Sequence, residues 1–227
     1  MSITENVARV RERVEAALER SGRSDGDVTI VAVTKTFGPE VVDAVVAAGI
    51  QDIGENRVQE FLSKREAVTG SCRWHLVGHL QRNKAGKVVG AVDLIHSLDS
   101  LRLAEALDRL GAQRGAAVRV LMQVNTSGEA SKEGVDPGGA TELAATVAAM
   151  DHVQLDGLMT IGPVSIDPVD TRRCFRDLYA LRERLRSDTG LALPHLSMGM
   201  SADFEMAIEE GATLVRVGRT ITGEREG

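Results

Sequence analysis

Aromatic residues are scarce, at 3% of the chain, with one tryptophan and one tyrosine. A stacking platform for single-stranded nucleic acid needs more of them. Basic runs are missing too: the net charge is −6 and the cationic residues are dispersed, so no nucleic-acid surface is expected. No apolar stretch is long enough to cross a bilayer, and the segment from Met1 to Arg20 carries charges throughout. Neither a membrane anchor nor a secretory signal is read there. The two cysteines, Cys72 and Cys174, stand far apart without a partner motif, which favours reduced thiols over a disulfide framework. These absences together point to the cytoplasm. The histidines carry no metalloprotein signature, and no metal is expected.

Lysine is the scarcest charge. Only Lys35, Lys64, Lys84, Lys87 and Lys132 occur. Four sit among polar neighbours, whereas Lys35 closes the apolar run Val28-Thr29-Ile30-Val31-Ala32-Val33. A lysine there is either one that has just cleared the core or an amine placed for chemistry such as a Schiff base.

The chain has 227 residues, 43% of them hydrophobic, ample for one sizeable core. After a first helix over 3–21, with Val7, Val10, Val14 and Leu18 on one face, strands and helices alternate. Strands are expected at 28–35, 52–56, 73–79, 94–98, 118–125, 153–160, 195–200 and 214–217. Helices are expected between them, among them 39–48, 57–67, 83–89, 170–189 and 202–210. Such alternation favours a parallel sheet wrapped by helices. Eight units at this length predict an α/β fold, a single (β/α)8 TIM barrel with an extra N-terminal helix, filling residues 1–227 as one domain. An open doubly wound sheet is the alternative.

A barrel of this kind gathers its functional groups at the C-terminal ends of its strands. Those ends carry Lys35, Glu55 with Asn56, His79, Ser97, Asn125, Thr160, Ser201 and Arg216. If the sheet closes, the first and last strands are neighbours, and Lys35 and Arg216 share a rim. The turns Met200-Ser201-Ala202 and Gly218-Arg219-Thr220 follow the last two strands, where phosphate sites of such barrels lie. A lysine and a phosphate cup on one rim suit pyridoxal 5'-phosphate (PLP), which is held through a lysine and its own phosphate.

Longer motifs now align with a known family. They include Ala32-Val33-Thr34-Lys35, Gly54-Glu55-Asn56-Arg57-Val58-Gln59-Glu60 and His75-Leu76-Val77-Gly78-His79-Leu80-Gln81-Arg82-Asn83-Lys84. Val124-Asn125-Thr126-Ser127-Gly128-Glu129-Ala130-Ser131-Lys132-Glu133-Gly134, Leu196-Ser197-Met198-Gly199-Met200-Ser201-Ala202-Asp203 and Val215-Arg216-Val217-Gly218 follow. Over nearly its whole length the chain resembles the pyridoxal phosphate homeostasis proteins, whose barrel is like the N-terminal domain of alanine racemase. The resemblance implies PLP as a Schiff base on Lys35, Arg216 facing the pyridine nitrogen, and Asn56 and Ser201 near ring and phosphate. Gly218, Arg219 and Thr220 complete the implied cofactor site. Arg219 stands where the family has a small hydroxyl residue, and Thr222 where it has an aromatic one. No catalytic residue is assigned.

The implied function is a carrier or regulator in PLP (vitamin B6) homeostasis without robust catalysis. Apo-PLP enzymes are candidate recipients, and a monomer is expected, with a dimer the alternative. The competing reading is a PLP-dependent amino-acid racemase or decarboxylase.

Overall fold

The computed structural model describes residues 2–129, 132–164 and 167–223. Ala130 and Ser131 of the long motif, and the charged tail after Gly223, lie outside them. Helix α1 (Ile3–Arg20) opens on a capping box in which Ser2 and Glu5 satisfy each other's backbone N–H groups. Its buried face is the one read from periodicity: Val7, Val10, Val14, Ala17 and Leu18.

Eight strands follow: β1 (Thr29–Val33), β2 (Asp52–Glu55), β3 (Arg73–Leu76), β4 (Leu94–Leu98), β5 (Val118–Gln123), β6 (Val153–Met159), β7 (His195–Met200) and β8 (Leu214–Val217). All neighbours pair in parallel, and β1 pairs with β8 through Val31 opposite Arg216. The sheet is a closed barrel in sequence order, a TIM barrel, which removes the open-sheet alternative. Helices α2 (Pro39–Ala47), α3 (Val58–Arg65), α4 (Leu101–Arg114), α5 (Ala140–Ala148), α6 (Pro168–Thr189), α7 (Phe204–Glu209) and α8 (Arg219–Thr222) alternate with the strands. Among the described residues no helix is long and apolar enough to cross a membrane.

Two departures from the sequence reading have local causes. The expected helix at 83–89 is a 3₁₀ segment over Arg82–Lys87, because Gly86 and Gly90 break it on either side of its end. The one-turn α8 was not expected. It fits four residues between Gly218 and Gly223, the latter at φ 79°.

The apolar residues divide into two clusters. The larger one fills the space between helices and the outer face of the sheet. The smaller one, Val31, Val77, Leu94, Leu121, Met159 and Leu214, lines the barrel lumen. Barrel lumens of this fold are ordinarily filled by such branched side chains in layers. Here polar groups complete the filling: His75, His96, Ser197 and Arg216 are all buried.

Helix α1 lies over the seam between the last and first strands. Asn6 Nδ2 donates to the Ile221 carbonyl of α8 at 2.9 Å. Arg13 makes a two-pronged pair with Glu205 of α7, both bonds 2.8 Å.

Candidate site at the barrel mouth

A cavity of about 240 Å³ opens at the C-terminal ends of the strands, walled by Lys35, Asn56, Ser201, Arg216, Gly218 and Arg219. Six of the seven residues expected from sequence thus meet on one wall. Thr220 sits one position further on, in α8, and does not line it. A larger cleft of about 430 Å³ lies at the opposite face, where β2 and β3 begin. Two of its cations are engaged: Arg73 grips Asp52, and Arg11 donates to the Gly49 carbonyl.

Strand β1 ends at Val33, and Lys35 is exposed in the turn beyond it. The turn is tight. Thr36, a β-branched residue, has φ 70°, a left-handed conformation that such residues avoid. Its N–H donates to Glu60 Oε2 at 3.1 Å, which helps to hold it.

Beneath Lys35 lies a buried cluster that sequence reading missed. Lys64, which stands among polar neighbours in the sequence, is 4% exposed and reaches back from α3. Its Nζ donates to Glu55 Oε1 at 2.6 Å and to the Thr34 carbonyl at 2.8 Å. Thr34 Oγ1 donates to the same carboxylate oxygen at 2.6 Å. The cluster clamps the ends of β1 and β2, which carry Lys35 and Asn56. Burial holds the Glu55 carboxyl above its ordinary pKa, despite the hydrogen bonds from Lys64 and Thr34. Glu55 Oε2 has no partner among the described residues.

Asn56 is set by a glycine. A Cβ on Gly78 would lie 2.3 Å from the Asn56 carbonyl oxygen, so the two backbones approach as only glycine permits. Gly78→Ala is expected to displace Asn56 and to cost about 1–3 kcal/mol of stability, measurable by urea unfolding. A variant as stable as the parent would show that the segment relaxes freely.

Arg216 enters the mouth from β8 but is only 5% exposed. It does not pair with a helix carboxylate. Its Nη1 donates to Ser197 Oγ at 2.6 Å and its Nη2 to the Thr160 carbonyl at 2.8 Å. Burial lowers its pKa to about 10, against the opposing pull of Asp203. Ser201 Oγ accepts the Gly218 N–H at 3.2 Å and so ties together the turns after β7 and β8. Asp203, also on the cavity wall, accepts the Met200 N–H at 2.6 Å. Burial raises its carboxyl above the ordinary value, more than that bond lowers it.

Behind Arg216 the lumen holds His96, its pKa pushed well below 6.5, first by burial and then by its neighbours His75, Arg216 and His195, beside which a second cation is disfavoured. His195 is lowered too, chiefly by burial. A histidine kept neutral in the fold but free to charge when unfolded makes the unfolded chain bind more protons below about pH 6.5. Stability therefore falls as pH drops through that value, by up to about 1.4 kcal/mol per pH unit per group. Asp52 adds a second limb. Burial works to raise it, but hydrogen bonds from His75 and Arg73 prevail and hold it at about 2. Its contribution is present above the unfolded value of about 3.9 and is lost as pH falls toward 2. Denaturant unfolding against pH should show the upper limb flattened in His96→Gln. An unaltered slope would remove His96 from this account.

His79, expected on a strand end, lies past β3 in an exposed loop, 3.1 Å from Asp99 Oδ2. It stands four residues from His75, yet one points into the lumen and the other to the rim. Asn125 follows β5 and is occupied by the carbonyls of Glu129 and Lys132. Among the described residues no group of three or more potential ligands could hold a metal ion.

The mouth differs from the rest of the lumen in one respect. Among the described residues, the side chains of Lys35, Asn56 and Arg219 make no hydrogen bond or ion pair. Arg216 spends two of the five N–H groups a guanidinium offers. A primary amine, an amide and two guanidinium groups with unspent capacity suit a small anionic ligand that also carries a carbonyl and a ring acceptor.

The family model described as "Alanine racemase, N-terminal domain" matches residues 3–226. The "Pyridoxal phosphate homeostasis protein" of Aquifex aeolicus is 44% identical over 227 residues, covering all of both chains. A crystal structure of an unknown protein from Bifidobacterium adolescentis superposes with a TM-score of 0.92 at 41% identity, over 96% of this chain and 94% of that one. PipY of Synechococcus elongatus PCC7942, solved with PLP bound, gives 0.86 at 33% identity, over 98% and 100% of the two chains.

Proposed function

The chain belongs to the alanine racemase N-terminal domain family, and on that premise we propose that it is a PLP-binding protein of intracellular PLP homeostasis, with the cofactor attached to Lys35. The whole chain acts as one cofactor-binding domain. The observation that carries the reading is the set of unspent polar groups, Lys35, Asn56, Arg219 and the remaining N–H groups of Arg216, that meet around one mouth.

The residues fit the cofactor. Lys35 offers an exposed amine with no partner among the described residues to compete for it. Arg216 is a fixed donor whose cation suits an unprotonated ring nitrogen. Ser201, the turn it ties to Gly218, and Arg219 supply hydroxyl, main-chain and cationic contacts for a phosphate. Arg219 is exposed, so it serves a phosphate at the rim and not in a buried cup. When bound, PLP supplies an electron sink, and an arginine partner makes that sink weaker than a carboxylate would.

A carrier follows from what the mouth offers for proton transfer. Tyr179, the chain's one tyrosine, is exposed on α6 and packs against Gly211, away from the cavity. Slow proton chemistry leaves a cofactor that is held and released. The racemase or decarboxylase reading has one observation in its favour, Asp203 on the cavity wall with a raised pKa.

Borohydride reduction of the PLP-treated protein, followed by peptide mass mapping, tests the attachment. One adduct per chain at Lys35 is expected, and reduction without any adduct would overturn it. A screen of amino acids then separates the two readings. Transfer of PLP to an apo-enzyme without turnover supports the carrier. Turnover well above that of free PLP and lost in Asp203→Asn supports the enzyme.

A further inference from the structure

We propose that Ser197, His96 and His75 form a one-way hydrogen-bond chain across the barrel lumen that fixes Arg216 and connects it to the Asp52 carboxylate at the opposite face. They would then be positioning residues for the guanidinium at the mouth. The consequence for the cofactor rests on the PLP reading above, whereas the chain itself does not.

Its direction follows from which atoms can donate. A guanidinium has no acceptor, so Arg216 Nη1 donates to Ser197 Oγ at 2.6 Å. The hydroxyl's single proton is then free for His96 Nδ1, 2.9 Å away. The far end fixes this direction: Asp52 can only accept, so a neutral His75 donates from Nε2 and accepts at Nδ1, which leaves His96 with its proton on Nε2 and Nδ1 as the acceptor for Ser197. His96 Nε2 faces His75 Nδ1 at 2.9 Å. His75 in turn carries its proton on Nε2 and donates to Asp52 Oδ1 at 3.0 Å. Asp52 is an acceptor only, held from outside by Arg73 at 2.7 and 2.5 Å.

Every link has one donor and one acceptor when both imidazoles are neutral. A proton added to His96 would turn Nδ1 into a second donor toward Ser197 and place a cation beside Arg216. The charged and titratable groups acting on His96 are His75, Arg216 and His195, and all disfavour its protonation. The walls, Val31, Leu94, Leu121 and Leu214, are apolar. In such surroundings successive hydrogen bonds polarise one another, and a broken link is costly.

At the mouth the effect is geometric. Ser197 Oγ and the Thr160 carbonyl hold the two terminal nitrogens of Arg216, so the plane of the guanidinium is set and its remaining N–H groups have a fixed aim. A lone serine would hold one corner less firmly, because its own orientation would be free.

Nitrogen-15 NMR of the cofactor-free full chain tests the chain directly. His75 and His96 are expected to be neutral with the proton on Nε2, and the Arg216 guanidinium to rotate slowly. Ser197→Ala should release the His96 tautomer preference and speed the Arg216 rotation. His96→Gln should preserve slow rotation, since an amide can accept from Ser197 and donate to His75, whereas His96→Leu should not. A wild-type His96 protonated on Nδ1, or Arg216 rotation unchanged in both Ser197→Ala and His96→Leu, would overturn the proposal. If Ser197→Ala does not fold, the wild-type tautomers and the Gln–Leu contrast decide. With PLP added, the visible band and its pH dependence should move in His96→Leu and stay near wild type in His96→Gln. A wild-type protein with no visible band would refute the PLP reading while leaving the NMR result to judge the chain.

Discussion

Lys35→Ala is expected to abolish covalent cofactor attachment while leaving the fold intact. The side chain is exposed and makes no hydrogen bond or ion pair among the described residues, so its removal should change stability by no more than about 0.5 kcal/mol. No other lysine is placed to substitute. Lys64 is buried against Glu55. Lys132 is engaged by Glu129 and the Gly162 carbonyl, and Lys84 and Lys87 lie in the 3₁₀ segment. Lys35→Arg separates charge from chemistry: it keeps a cation for a phosphate but has no nucleophilic amine. Both variants should lack the visible band of the PLP-treated wild type and the borohydride adduct. A band of undiminished intensity in Lys35→Ala would rule out the assignment.

Lys64→Met is the second large effect, a loss of about 3–5 kcal/mol at neutral pH. It strands Glu55 as an unpaired buried carboxylate, and breaking a buried pair from one side typically costs that much. The loss should shrink in acid. The Glu55 carboxyl already sits above its ordinary pKa, so the folded variant binds a proton that the unfolded chain gives up, and relative stability rises as pH falls. Replacing both partners with apolar residues should recover most of the loss, because neither charge then remains to be solvated. Urea unfolding of the two single variants and the double variant closes the cycle. A Lys64→Met protein within 1 kcal/mol of wild type would mean that Glu55 is relieved by water, and that the clamp on β1 and β2 is weaker than drawn. Because the clamp sets the turn bearing Lys35, PLP retention should fall along with stability.

The barrel was legible in the sequence because its signals are local. Leu94–Leu98, His195–Met200 and Leu214–Val217 are short apolar runs bounded by turn residues, and they form strands with those limits. Strand β3 was read too long, to His79. The apolar run does continue through Val77, but pairing with β4 stops at Leu76, and a run of side chains does not reveal where the ladder ends. The meeting of Lys35, Asn56, Ser201 and Arg216 at one mouth was legible because each stands at a strand end or in the turn beyond it, and closure brings strand ends together. The buried polar groups were not. His75, His96, Ser197 and Asp52 lie on four different strands, and each looks like one polar interruption in an apolar stretch. Only the register across the barrel joins them. The available signal was their inward position on strands of a barrel, which requires the fold first. Lys64 was missed for the same reason, since its partners lie just past β1 and at the end of β2 and its sequence neighbours are polar.

The stitching of α1 to α7 and α8 has a kinetic consequence. The contacts that close the barrel join the earliest and latest segments of the described chain: Asn6 with Ile221, Arg13 with Glu205, and β1 with β8. Contacts so distant in sequence form late, after the loop entropy of everything between them has been overcome. Until β8 docks, β1 and β7 are raw edges open to pairing with other chains, and Lys35 has no Arg216 opposite it. Competence to hold a cofactor therefore arrives all at once. A nascent chain lacking β8 carries Lys35, Asn56 and Ser201 without Arg216 or the turn after it, and a folding probe placed on the seam should report the same final step as cofactor uptake.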